Sequence, residues 1–240
     1  MDKIIDKKLY NIYQKYHLSN DDILAINEII YPIFIHKEFQ KRMKKPFYHH
    51  GSVSLGEHIL EDAIVSYELA IKCRKMVNIR LTVIIAMLHD LYTVPYQNAK
   101  KVNEKYFFNK HGFRHPIEAV INAYTWYPEL FDNEEEAKII IAGIVHHMYP
   151  LPVQLFSNEN YSDLDLKNCE LVDKLSPTII NYLVECTKSK FFKKISWKRS
   201  KYIEGRIMSK ADKKVSFHQI KDFRSMLALL TGKNKNLVEE

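Results

Sequence analysis

The sequence predicts an all-α protein, and three observations carry that prediction. Apolar residues recur at helical spacing through most of the chain, as in Ile23, Ile26, Ile29, Ile30 and Ile33, or in Leu55, Ile59, Ala63, Tyr67 and Ala70. Capping residues precede several of these runs. Only 6 glycines among 240 residues, beside 8 prolines, supply too few tight turns for an all-β fold. A composition 46% apolar and 27% charged is that of a globular protein with a substantial core.

Taken in order, residues 2–16 and 21–43 read as two amphipathic helices, the second capped by Asp21 or Asp22 and kinked at Pro32. His17 and His36 lie there without evident partners. Lys41 to Lys45 reads as a solvated basic helix end. After a loop at Phe47–Ser52, a long helix is expected over about Val53–Met76, capped by Ser52 or Ser54. On it His58 stands one turn from Leu55 and from Glu61/Asp62, on a face that can turn inward.

The apolar run Leu81–Leu91 ends a short helix, about residues 79–91, with the dipeptide His89-Asp90. Apolar packing alone needs neither an imidazole nor a carboxylate there. Residues 96–109 form a polar, aromatic-rich stretch, read as a loop or short helix over the site with solvated lysines. In His111-Gly-Phe-Arg-His-Pro116, Gly112 permits a turn, and Pro116 suits the first turn of a helix over Ile117–Trp126. The two histidines could then point into one cavity. In Asp132-Asn-Glu-Glu-Glu136 an Asx cap precedes acidic residues, ahead of a helix over Ala137–Met148. His147 continues its buried stripe, and His146 is rotated about 100° away.

Residues 153–165 read as a polar loop and a helix begins near Leu166. It carries Asp173 between Val172 and Leu175, where an unpaired buried carboxylate would be costly. The chain is again helical over Thr178–Lys188. In the basic region Lys188–Lys214 the aromatics Phe191, Phe192, Trp197 and Tyr202 fall at helical spacing, so they are expected to pack while the lysines stay solvated. A last helix runs from Ser216 to Leu230. No repeat or low-complexity linker appears.

The net charge of +7 is unevenly placed. From Thr187 onward there are 15 Lys/Arg against 5 Asp/Glu, while the rest of the chain carries 21 against 24. Three widely spaced cysteines, Cys73, Cys169 and Cys186, form no disulfide framework and no metal-type pairing. With no run long enough to span a bilayer and no signal peptide, a cytoplasmic protein without a membrane partner is expected.

Imidazole and carboxylate are the ligands of Zn, Mn and Fe, so His58, His89, Asp90, His111, His115, His146, His147 and Asp173 suggest a metal site built from several helices. The ordered segments Glu57-His58, Leu88-His89-Asp90, His111-Gly-Phe-Arg-His-Pro116, His147-Met-Tyr-Pro-Leu151 and Asp173-Lys174 resemble the HD-domain superfamily of metal-dependent phosphohydrolases over about residues 47–187. The resemblance implies an HD-type helical bundle as one domain over residues 1–240, with helical N- and C-terminal extensions, the basic one covering 188–240. It implies that His58, His89, Asp90 and Asp173 hold one divalent ion. In dinuclear members the doublet aspartate, here Asp90, bridges a second ion, for which His115 and His147 are expected, with His111 as an alternative. Fe, Mn, Zn, Co and Ni all suit such a set. The His146-His147-Met148-Tyr149-Pro150 stretch departs from the HD-GYP signature, so cyclic dinucleotides are not implied.

The implied reaction is hydrolysis of a phosphoester or phosphoanhydride of a nucleotide or other small phosphorylated molecule by metal-activated water. By position, Arg114 and Lys174 are candidates for phosphate contacts, and His50 or His146 for the proton donor. Two rival readings are an HD-type di-iron oxygenase, which would consume dioxygen, and a metal-containing regulatory module that binds nucleic acid through residues 188–240.

Overall fold

In a computed structural model the chain is all-α, and the residues it describes are 6–49, 53–93, 95, 110–156 and 173–219. Among these lie nine α-helices: α1 (Lys7–Lys15), α2 (Asn20–Phe34), α3 (Lys37–Arg42), α4 (Leu55–Ile71), α5 (Ile79–Leu88), α6 (His111–Trp126), α7 (Glu134–Val145), α8 (Pro177–Thr187) and α9 (Ile203–Gln219). A two-residue antiparallel pair, β1 (Val153–Gln154) with β2 (Ile195–Ser196), aligns Val153 with Ser196.

Local chemistry explains most boundaries. Ser19, rather than Asp21 or Asp22, caps α2: its hydroxyl oxygen accepts the Asp22 N–H at 3.2 Å. The helix expected over 21–43 is two helices, because His36 adopts an extended backbone and its Nδ1 accepts the Glu38 N–H at 3.3 Å, which starts α3. α4 opens with a reciprocal capping box between Ser54 and Glu57. Asn78 caps α5, and Asn133 is the Asx residue that caps α7. α6 begins earlier than expected, at His111. His111 and His115 therefore stand one turn apart on one helix face instead of across a turn.

The core is the contact of α4 and α5 with each other and with α9, which also packs on α7. α5 is buried at nearly every position, which is why its sequence is apolar throughout. α9, expected in a basic extension, lies at the centre of the fold. It buries Ile207, Met208, Ala211, Asp212 and Val215 and turns its lysines outward. Its close approach to α7 depends on Gly205, and the approach of α7 to α5 depends on Gly143. A Cβ on Gly205 would fall 2.7 Å from Gly143 Cα, and one on Gly143 would fall 2.7 Å from Ile85 Cδ1.

Arg42, expected on a solvated helix end, is instead buried. Its guanidinium donates to the Glu38 carbonyl at 2.5 Å and to the Tyr92 carbonyl, and it lies 4.4 Å from the Trp126 ring centroid. The cation thereby ties α3 and α6 to the backbone just beyond Asp90. Residues 166–172 of the helix expected from Leu166, residues 220–230 of the last expected helix and all of the stretch 96–109 fall outside the described residues.

Gly205→Ala should force α9 away from α7 and cost about 1–3 kcal/mol, as overpacking does. Thermal denaturation should show a Tm lowered by several degrees, and an unchanged Tm would mean that the two helices do not cross at this point.

Candidate metal centre

Four helices and two chain bends bring eight His and Asp side chains together. α4 supplies His58 and, one turn later, Asp62, both fully buried. The buried run of α5 delivers His89 as its C-cap residue, with Asp90 next. α6 supplies His115. α7 ends at Val145, so the chain turns there and leaves His147 pointing inward. α9 contributes Asp212. From the bend before α4, the His49 ring stacks on that of His58 at 3.8 Å between centroids.

Asp90 is the hub. Its Oδ1 lies 3.2 Å from His115 Nε2 and 3.6 Å from His147 Nε2. Its Oδ2 lies 3.7 Å from His89 Nε2, 3.9 Å from His58 Nε2 and 3.8 Å from His49 Nδ1. One carboxylate oxygen thus faces two histidines and the other faces three. On the α4 side, Asp62 Oδ2 lies 3.0 Å from His58 Nε2 and 3.3 Å from His89 Nε2, and Asp212 Oδ1 lies 3.7 Å from His58 Nε2.

The ring orientations are set from behind. The Nδ1–H groups of His89 and His147 donate to the Ala86 and Ile144 carbonyls, each at 2.7 Å, and that of His115 donates to the His111 carbonyl at 3.2 Å. His58 Nδ1 donates to Gln219 Oε1 at 3.0 Å, and Gln219 in turn donates to Glu61 Oε2 at 2.9 Å, with Lys15 paired to the same carboxylate. A histidine whose Nδ1 carries the proton presents a bare Nε2. His115 and His147 Nε2 accordingly meet at 3.0 Å. Both oxygens of Asp62 and Nε2 of His89 are buried without a hydrogen bond among the described residues.

Such an arrangement crowds acceptors together inside the protein, and His115 is the ring that answers: against burial, its hydrogen bond to Asp90 and that carboxylate's charge raise its pKa. The cluster's electrostatics show the tension. Burial, then the charges of Asp212 and Asp90, push the Asp62 carboxyl well above its usual range. Burial also raises Asp212. Burial works against ionising Asp90 too, but His89 and the hydrogen-bonding His115 outweigh it and hold that carboxyl low. On His147, burial and the charges of His89 and His115 depress the pKa strongly. A cation among these atoms removes every one of these conflicts.

The donor set fits a metal. His58, Asp62, His89 and Asp212 offer donor atoms all within 4.8 Å of one another; so do His89, Asp90 and His147, and also His49, His58 and Asp90. Metal–N/O bonds near 2.1 Å require donor–donor spacings of about 3–4 Å. The buried cluster can therefore hold a metal ion.

Of the residues expected from the sequence, His58, His89, Asp90, His115 and His147 converge. His111 stacks on His115 at 5.2 Å between centroids and edges onto Tyr92 at 4.8 Å. It stands just outside the donor groups, and burial, then the His115 and Arg114 charges, push its pKa down to about 3. Arg114 is half-buried beside it. His146 is buried away from the cluster, lowered to about 4 by burial and by Lys198. His50 lies outside the described residues.

Asp173 and Lys174 are corrected. Both are exposed on the turn before α8, where an acid costs nothing to place, and Asp212 occupies the interior instead. Lys213 Nζ donates to the His147 carbonyl at 3.2 Å and to the Ser209 carbonyl at 2.9 Å, bracing that bend. Asp62, Asp212 and His49 were not singled out from the sequence. Asp212 could have been found on the apolar stripe Met208, Ala211, Val215, and Asp62 one turn beyond His58 on the same face. Among the described residues, no helix is long and apolar enough to cross a membrane. Set against protein-family models, curated proteins and solved structures, the chain finds no match.

Elemental analysis of protein purified without added metal should give about two equivalents of a divalent transition metal, as expected for a paired site. Asp212→Asn should lose most of that metal and Asp173→Asn should keep it; the reverse result would restore Asp173 as a ligand. Gln219→Leu, which frees the His58 ring, should weaken metal affinity about 10–100-fold, and an unchanged Kd would show that the ring needs no such support.

Proposed function

We propose that this chain is a metal-dependent phosphohydrolase acting on a nucleotide or another small phosphorylated molecule. The observation that carries the reading is Asp90, whose two oxygens each face a separate set of histidine donors. His58, Asp62, His89 and Asp212 would hold one ion, His115 and His147 the other, and Asp90 both. When bound, divalent ions there supply Lewis acidity toward a phosphoryl oxygen and lower the pKa of a coordinated water.

The protein's own groups do the rest. Backbone carbonyls behind His89, His115 and His147 keep the ligand nitrogens aimed inward before any substrate arrives, which avoids reorganisation during reaction. Most of the cluster is sealed, whereas His49, His111 and Arg114 are only half-buried, so substrate reaches it from their side. Arg114 offers a planar fork matched to two phosphate oxygens. His111, uncharged at neutral pH, can donate or accept a hydrogen bond at the same rim. Lys174 and His146, candidates by sequence position, lie away from this rim and receive no part in it.

The test is phosphate release from a panel of nucleotides and simple phosphoesters by protein loaded with Mn, Co, Ni, Zn or Fe in turn. Asp90→Asn should abolish turnover. Arg114→Ala should raise KM about 10–100-fold, the value of a charge-assisted contact. Unchanged kinetics would remove Arg114 from the site. Dioxygen uptake by the iron-loaded protein, with no phosphate released under any metal, would replace hydrolysis by oxygenase chemistry.

A further inference from the structure

Between α8 and α9, residues 188–201 read Lys-Ser-Lys-Phe-Phe-Lys-Lys-Ile-Ser-Trp-Lys-Arg-Ser-Lys. Seven of these 14 residues are Lys or Arg, none is Asp or Glu, and all seven cations are exposed. The aromatics here were expected to pack against the fold. They do not: Phe191 is 89% exposed, Trp197 56% and Phe192 45%.

The segment is nonetheless held in place. Ile195 and Ser196 are buried and paired with β1, and the Leu155 N–H donates to the Lys194 carbonyl at 3.0 Å. Ser189 Oγ accepts the N–H groups of Phe191 and Phe192 at 3.4 and 3.1 Å, which folds the turn on which both rings stand. Ile195, Ser196 and Ser200 provide the anchorage, so the rings are left outside a fixed backbone. Exposed large apolar groups ringed by polar residues mark an interaction site.

We propose that residues 188–201 dock the protein onto an anionic phospholipid bilayer. Charge selects an anionic partner, since the segment's 14 residues hold seven exposed Lys or Arg and no Asp or Glu. The exposure of the rings selects a bilayer over a nucleic acid. A ring that stacks on bases lies flat with one face supported, whereas Phe191, 89% exposed, has neither face covered and is free to enter the headgroup–acyl boundary. Phe and Trp favour that boundary and lysines next to it are drawn to anionic headgroups. No spanning helix is required. The inference is independent of the metal site and of the reaction proposed there.

The experiment is co-sedimentation of the full chain with vesicles of phosphatidylcholine alone and with about 30% phosphatidylserine, alongside fluorescence anisotropy of a labelled single-stranded RNA. Wild-type protein should sediment with the phosphatidylserine vesicles and release at high salt, and Trp197 emission should shift to the blue on binding. F191S/F192S and K190E/K193E/K194E, all at exposed positions, should each weaken the partition about tenfold or more with Tm unchanged. Equal binding to both vesicles, no binding to either, binding unaffected by both variants, or tight RNA binding without vesicle binding would each overturn the proposal.

Discussion

The protein is built around a buried electrostatic conflict that a bound cation would relieve. Asp62, Asp90 and Asp212 converge in the interior with the Nε2 atoms of His58, His89, His115 and His147. Nothing about burying apolar surface calls for this. Protonation relieves part of it, as the raised Asp62 and Asp212 carboxyls indicate, but each proton satisfies one contact and leaves the others. A divalent ion satisfies several lone pairs at once. The interior is therefore arranged for metal, and the helices that meet there, α4, α5, α6 and α9, are held to that arrangement by their packing.

The supporting structure lies close behind. α9 can lie against α7 and bring Asp212 to His58 because Gly205 carries no Cβ, and Gly143 likewise lets α7 lie against Ile85 of α5. Ser209 and Lys213 on the same helix grip the His147 carbonyl, so the bend after α7 and the aspartate on α9 are positioned together. Arg42 does the equivalent beyond Asp90, clamping the Tyr92 carbonyl while its plane rests near Trp126. These residues hold the cluster's geometry without belonging to it.

Much of this was legible in the sequence, for definite reasons. Helical periodicity and cap residues marked most of the helices, and His89-Asp90 betrayed itself by ending an apolar run that had no other use for ionisable groups. His147 was readable because it continues the Ile140, Ile144 stripe, although α7 ends two residues before it; His115 was readable only as one of two histidines flanking Gly112, because the helix that carries it was expected to begin at Ile117. Asp212 was obscured by its setting. Its neighbours Lys210, Lys213 and Lys214 made the region look like a solvated basic tail, although Met208, Ala211 and Val215 share its face. Asp173, between Val172 and Leu175, offered the pattern of a buried acid but sits on an exposed turn. Local pattern shows which side chains share a helix face, but not which face the tertiary packing covers. The same limit hid the exposure of Phe191 and Trp197, whose spacing alone is that of packed aromatics.

The most direct test of the central claim is electron paramagnetic resonance of metal-free protein titrated with Mn(II). If Asp90 is shared between two ions, the fully loaded protein shows the spectrum of an exchange-coupled pair, and Asp90→Asn shows only isolated ions. An isolated-ion spectrum from wild type at saturation, or no uptake at all, would contradict the paired centre.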